Sequence, residues 1–275
     1  MGKVIDAHVH CSDKRKDDGL RGYARLNGLR YDLEELLEKM LEHGVAGGLL
    51  LSPPMAGGAP LPNEEVLALC ERSRGLLFPV FTVEPDKAAL RDALRLADGQ
   101  RGVVKGFKVW LGYRRVYASD PVYSPLYDYA EEHGLPVLFH TGDTATSDGS
   151  LAHAHPLTLD EVANRRPGLK VVICHMGNPW VLDTAELLYK HRNVFADMSG
   201  LVVGGGAYAR EYSRTIARRI SEAVYYAGGA DKIFFGTDYP VTRHTEALEI
   251  VRMMDVDDSD KERILCRNAE GVFRL

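Results

Sequence analysis

Short apolar runs alternate with amphipathic stretches from one end of this chain to the other, and that alternation restricts the fold more than any other feature of the sequence. The runs are Val4 to His10, Ala46 to Leu51, Leu77 to Val83, Val103 to Val109, Pro136 to His140, Leu169 to His175, Val194 to Asp197 and Ile233 to Thr237. Each has the length of a strand, and most are apolar on both faces, the pattern of strands covered on both sides of a parallel sheet. Between them stand segments with helical spacing. In the first, Leu33, Leu36, Leu37, Met40 and Leu41 share one face, Asp32 is placed to cap the start, and Gly44 follows the last turn. Further helices are expected from Asn63 onward, over Lys87 to Ala97, Leu126 to His133, Leu157 to Ala163, Val181 to His191, Tyr212 to Tyr226, Glu246 to Met254 and Ser259 to Cys266. Eight such strands with intervening helices, and no linker rich in Pro, Gly or Ser, predict a closed (β/α)8 TIM barrel, with an open doubly wound sheet as the runner-up. The 275 residues suit one domain over 1–275, since a barrel of this kind commonly takes about 250.

Composition narrows the functional classes. Lys and Arg number 34 against 39 Asp and Glu, a net charge of -5, which offers no basic field for nucleic acid. No apolar run approaches the roughly 18 residues that cross a bilayer, and the polar N-terminal stretch lacks a signal-peptide core. A cytoplasmic protein is expected, acting on a small molecule without nucleic-acid or membrane partners and compatible with a homodimer. Cys11, Cys70, Cys174 and Cys266 are far apart, which argues against a thiolate zinc site or a disulfide framework and for reduced packing residues. Gly204, Gly205 and Gly206 are not followed by Gly-Lys-Ser/Thr, so they read as a loop rather than a phosphate cradle.

Polar residues close the apolar runs at one end. His8 and His10, two apart on a strand, project from the same face and form a pincer suited to a divalent cation, although the same pattern also describes a solvated strand face. Lys108, His140, His175 and Asp238 stand at or just past the ends of strands four, five, six and eight. In a barrel the carboxyl ends of the strands form the active-site mouth, so these residues are expected to converge there. Trp110, Tyr113, Arg114 and Arg115 after strand four, and His153 and His155 after strand five, are candidates for the pocket wall. The basic stretch from Ser12 to Arg30 reads as a functional loop whose Arg21, Arg25 and Arg30 are placed to meet an anionic substrate.

The segments DAHVH at 6–10, FHTGDT at 139–144, HAHPLTLDEVA at 153–163, ICHMGNPW at 173–180 and FFGTDYP at 234–240 together resemble the amidohydrolase superfamily, in the branch that includes aminocarboxymuconate semialdehyde decarboxylase and many hydrolases. The resemblance implies a distorted barrel of the metal-dependent hydrolase type. In it His8, His10, His140 and Asp238 would bind one divalent ion, usually zinc, with manganese, iron or nickel as alternatives. His175 would lie over the metal-bound water as a base or electrostatic aid. Lys108 departs from the simple picture. Carboxylated, it would bridge a second ion as in some members; as an ammonium it would contact a substrate carboxylate; a third reading is a lysine snorkelling at the rim. The match around HPLTLDEVA points His155 toward the mouth as a substrate contact.

The residue chemistry agrees with this set. Imidazoles and one carboxylate with a place left for water suit a catalytic zinc site, where bound water ionises near pH 7, about nine units below bulk water. Asp238 would take the proton and His175 would orient the nucleophile. The leading expectation is a hydrolase of an amide, ester or lactone. The alternative is non-oxidative decarboxylation or hydration of a carboxylic acid on the same ligands. A barrel that has lost catalysis is disfavoured, because the whole set of site residues is present.

Overall fold

A computed structural model describes residues 2–13, 19–53 and 60–275. Its strands are β1 (Val4–Val9), β2 (Val45–Leu51), β3 (Leu77–Val83), β4 (Gly106–Val109), β5 (Pro136–Phe139), β6 (Lys170–Ile173), β7 (Val194–Asp197) and β8 (Ile233–Phe234). They pair in parallel in the order of the chain, β1 through β8. The seam between β8 and β1 is closed by backbone bonds: Ala7 N to Phe235 O at 2.9 Å, Asp238 N to His8 O at 2.8 Å and His10 N to Tyr239 O at 2.9 Å. The result is the (β/α)8 TIM barrel expected from the alternation.

The barrel is held by two apolar layers. Alternate strand residues, among them Ile5, Ala7, Leu49, Leu51, Val80, Leu138, Val172 and Phe234, fill the interior, while Leu36, Phe81, Val109, Leu126, Ile173 and their neighbours pack between sheet and helices. Short strands can be apolar throughout because each face meets one of these layers. Gly48 in β2 shows how close the outer layer sits: a Cβ there would stand 3.1 Å from Leu77 Cδ2 and 3.3 Å from Met40 Cε of the helix Leu33–Glu42. That helix starts at Asp32, whose carboxylate accepts from Glu35 N at 2.8 Å, a cap of about 1 kcal/mol.

The structure departs from the sequence expectations in several places. The stretch from Ser12 to Arg30 contains a helix, Arg21–Leu26, nucleated where Leu20 and Ala24 are buried. Strand four is shorter than expected, because Val103 is exposed and the ladder begins at Gly106. The helix expected from Tyr212 begins at Gly206 and runs to Ala227, with Ala209 buried in its first turn. A last helix, Asn268–Phe273, is too short to show a period; it is held by Phe273, whose ring lies 5.5 Å from that of Phe234. Residues 14–18 of the basic stretch and 54–59, between β2 and the helix expected from Asn63 onward, lie outside the described residues. Among the described residues no helix is long and apolar enough to cross a membrane.

Candidate metal centre and cleft

The bulge in β1 between Asp6 and Val9 brings His8 and His10 to the carboxyl end of the barrel, edge to face with centroids 5.1 Å apart. Asp238, just past β8, faces both: its Oδ1 is 3.4 Å from His8 Nε2 and 3.0 Å from His10 Nε2. His8, His10 and Asp238 thus form a group able to hold a metal ion. The other ring nitrogens are already committed. His8 Nδ1 lies 3.0 Å from Asp197 Oδ2, and His10 Nδ1 lies 2.7 Å from the carbonyl of Leu51. A carbonyl only accepts, so His10 carries its proton on Nδ1, and its Nε2 is left with a lone pair.

The two Nε2 atoms are buried and have no hydrogen-bond partner. Orphaned buried nitrogens are costly, and here they crowd around a carboxylate oxygen. A divalent cation satisfies all three groups at once, so these residues fit a metal. Burial keeps the His8 imidazole from protonating and pushes His140 well below the usual histidine value, while His175 is brought down to about 4, again by burial first. All three are therefore neutral near pH 7. Burial opposes ionisation of Asp238 and Asp197, but facing imidazoles, His10 and His8 for Asp238 and His8 for Asp197, hold both carboxyls well below the usual carboxylate range.

Two of these residues sit in strained backbone. His175 has φ 62° and Asp238 φ 56°, left-handed positions that cost a side-chain-bearing residue on the order of 1–3 kcal/mol each. Both are clamped from outside: Asp197 Oδ1 accepts His175 N at 2.9 Å, and the His8 carbonyl accepts Asp238 N at 2.8 Å. Gly200, with φ +68°, leaves the space these side chains occupy, since a Cβ there would lie 2.8 Å from Asp238 Oδ2 and 3.1 Å from His175 Nδ1.

His140 is placed differently from the ligand role that the resemblance implies. Its Nε2 donates to the Asp143 carbonyl at 2.9 Å, and its Nδ1 faces His175 Nε2 at 3.1 Å. It stands beside the His8, His10 and Asp238 group, next to His175, and not within it. Lys108 is fully buried, so it does not snorkel at the rim. Its Nζ donates to Cys174 Sγ at 2.9 Å and lies 4.6 Å from the ring centre of Trp110, a residue that lines the cleft, while Lys108 itself is not part of that lining. His155 Nδ1 accepts from Leu157 N at 3.3 Å and its ring packs 4.5 Å from Trp180; it is not among the residues that line the cleft. His153 stacks on Tyr117 at 4.2 Å.

The cleft is walled by His10, His140, His175 and Asp238 on its floor and by Tyr23, Trp110 and Tyr113 above. Tyr113 accepts from Ala145 N at 3.0 Å; burial pushes its phenol up to about 12, so its proton remains to be donated. The arginines expected near the substrate are engaged elsewhere. Arg21 donates to the Ser12 carbonyl at 3.1 Å, Arg30 pairs with Asp32 at 3.0 Å, Arg114 pairs with Glu84 at 2.5 Å and Arg115 donates to the Asp148 carbonyl at 3.0 Å.

Sequence reasoning missed Asp197, Ser199 and Asp6. Asp6 Oδ1 accepts His8 N at 3.1 Å and Thr237 N at 3.0 Å, tying β1 to the segment that carries Asp238. Ser199 Oγ donates to Asp197 and lies 2.9 Å from His175 Nδ1 and 3.1 Å from His8 Nδ1. Asp197 ends an apolar strand, the same signal that picked out His140, and could have been found by it.

The fold matches a TIM-barrel protein of Bordetella bronchiseptica at TM-score 0.80 with 20% identity, covering 99% of this chain and 98% of that one. It matches a dihydroxybenzoic acid decarboxylase of Polaromonas, solved with manganese and 2-nitroresorcinol, at TM-score 0.70 with 15% identity, covering 100% and 98%. By sequence the chain is 21% identical over 306 positions to the gamma-resorcylate decarboxylase of Rhodococcus jostii, covering 89% of this chain and 88% of that one. The hydrolytic expectation is corrected by these findings: the curated relative and most of the similar structures with a named activity are decarboxylases, against one named as a probable 2-pyrone-4,6-dicarboxylic acid hydrolase, which favours the lyase alternative. The ligand set could not separate the two, because the same imidazoles and carboxylate serve either reaction. The model of the family described as amidohydrolase matches residues 5–275, so the chain belongs to the amidohydrolase family.

Proposed function

We propose that this chain is a metal-dependent, non-oxidative decarboxylase of hydroxylated aromatic carboxylic acids. The observation that carries the reading is the pair of buried, partnerless Nε2 atoms of His8 and His10 around Asp238, at the floor of a cleft with aromatic walls. The named activities of the relatives supply the reaction class. His8, His10 and Asp238 would hold a divalent ion, manganese as in the Polaromonas structure or zinc, since imidazole and carboxylate donors accept both. Bound there, the ion supplies positive charge for the substrate's carboxylate and neighbouring phenolate oxygens.

The chain's own residues do the rest. Trp110 and Tyr113 give the substrate ring flat surfaces to pack on. Decarboxylation breaks the bond between ring carbon and carboxylate, leaves its electron pair on the ring carbon, places a proton there and releases carbon dioxide; no electrons are exchanged with a redox partner. His175 is the proton carrier in this scheme. The negative charges of an entering carboxylate and of Asp238 favour the imidazolium form of its ring. His175 Nε2 then gives its proton to carbon instead of to His140 Nδ1, while Ser199 Oγ, 2.9 Å from His175 Nδ1, keeps the ring oriented. The test is to incubate manganese- or zinc-loaded protein with 2,6-dihydroxybenzoate and related hydroxybenzoates. Carbon dioxide released in equal amount to the ring product supports the reading. No release from any hydroxybenzoate, with the ion bound, overturns it.

A further inference from the structure

A thiol at the same end of the barrel has no part in that chemistry. Cys174 follows β6 immediately before His175 and is completely buried. His8, Cys174 and His175 each present a ligand atom, and the three atoms lie within 4.8 Å of one another. We infer that they form a second cation position, an alternative to the one at His8, His10 and Asp238, which takes a soft divalent ion such as cadmium or zinc.

The donor sets differ in softness. One offers two imidazoles and a carboxylate, which suit manganese; the other replaces the carboxylate with sulfur, which selects thiophilic ions. His8 belongs to both groups, and its Nε2 is buried without a partner. Because His8 is common to both groups, an ion at the sulfur group competes with one at the carboxylate group for the same imidazole. Binding at sulfur is a simple exchange: the Sγ–H bond breaks, an Sγ–metal bond forms and the proton leaves to buffer, with no oxidant or reductant. Lys108 Nζ, 2.9 Å from Sγ, remains as a donor that offsets the charge of the thiolate, as hydrogen bonds to ligating sulfurs do. A soft ion held there removes His8 from the first group and His175 from proton transfer, so it inhibits by displacement without entering the substrate cleft.

The test uses the whole chain, stripped of metal and titrated with cadmium, and reads the ultraviolet thiolate-to-cadmium charge-transfer band. The band should saturate at one cadmium per chain, vanish in Cys174→Ser and persist in His10→Ala and Cys70→Ser. Cadmium added to manganese-loaded protein should release the manganese, seen as the free-ion electron paramagnetic resonance signal. A missing band, a band that survives Cys174→Ser, or one cadmium and one manganese bound together would overturn the inference. If the Cys174 variant does not fold, His175→Ala keeps the thiol and should weaken cadmium by about tenfold or more; unchanged affinity then overturns it. None of these readouts depends on decarboxylation, so this inference and the proposed reaction can fail separately.

Discussion

The two sides of the barrel mouth are built on different principles. On the side of β7, β8 and β1, polar atoms are fixed in direction: His8 Nδ1 by Asp197, His10 Nδ1 by the Leu51 carbonyl, Asp238 N by the His8 carbonyl. What is left free there is a set of lone pairs aimed at one point. On the side of β4 and β5, the free feature is surface. Trp110 lies 5.5 Å from His140 and 5.8 Å from Tyr113, while the His140 nitrogens are occupied by Asp143 and His175. Direction suits an ion, which rewards fixed donors; surface suits a ring, which rewards flat area. The comparison predicts that substitutions on the first side cost the ion and substitutions on the second cost substrate affinity.

The largest effect is expected from His8→Ala or Asp238→Ala. Each removes a ligand, and metal affinity should fall by more than about 100-fold, beyond what loss of a supporting residue costs; metal analysis after dialysis checks this. His175→Asn should leave the ion in place and lower kcat by about 10²–10⁴, the range of a lost proton-transfer group. If that variant loses its ion instead, His175 belongs with the ligands and the division between the sides is drawn in the wrong place. Asp197→Asn keeps the shape but weakens the brace on His8, and should cost about 10–100-fold in metal affinity. Across the cleft, Trp110→Ala should raise KM about tenfold, from roughly 1–1.5 kcal/mol of lost ring packing, with metal content unchanged. A drop in bound metal there would erase the contrast.

The smallest effect is on stability. His8, His140 and His175 all have folded pKa values below the ordinary 6.5, so the unfolded chain binds more protons as the pH falls. Their contribution is present above the ordinary value of 6.5 and is lost as the pH falls below it. For His175, with a folded value of about 4, the loss at pH 6 is on the order of 1 kcal/mol. Metal-free protein should melt at a lower temperature at pH 6 than at pH 7, and His175→Asn should narrow that difference.

The barrel was legible because each short strand is apolar on both faces, a pattern that little besides a doubly covered parallel sheet can use. His8, His10 and Asp238 were legible as polar residues breaking that pattern at one end of the strands. Orientation was not. Nothing local says that His140 turns its Nε2 to the Asp143 carbonyl, which depends on how a loop returns over the strand. The partner of Lys108 was not legible for a related reason: Cys174, whose sulfur accepts from it, is 66 positions away. His155 belongs to a loop whose direction is set by its own cap at Leu157. Asp197 ends an apolar run as His140 does, so that signal was present; what the sequence does not show is that its carboxylate turns toward His8 Nδ1, 189 positions away.

The central claim is that His8, His10 and Asp238 hold a catalytic cation through the two Nε2 atoms. Pulsed electron paramagnetic resonance on manganese-loaded protein tests it most directly, by counting nitrogens bonded to the metal. The account predicts two directly bound imidazole nitrogens, one of which disappears in His8→Ala and the other in His10→Ala. A manganese signal without directly bound nitrogen, or one unchanged in both variants, would contradict it.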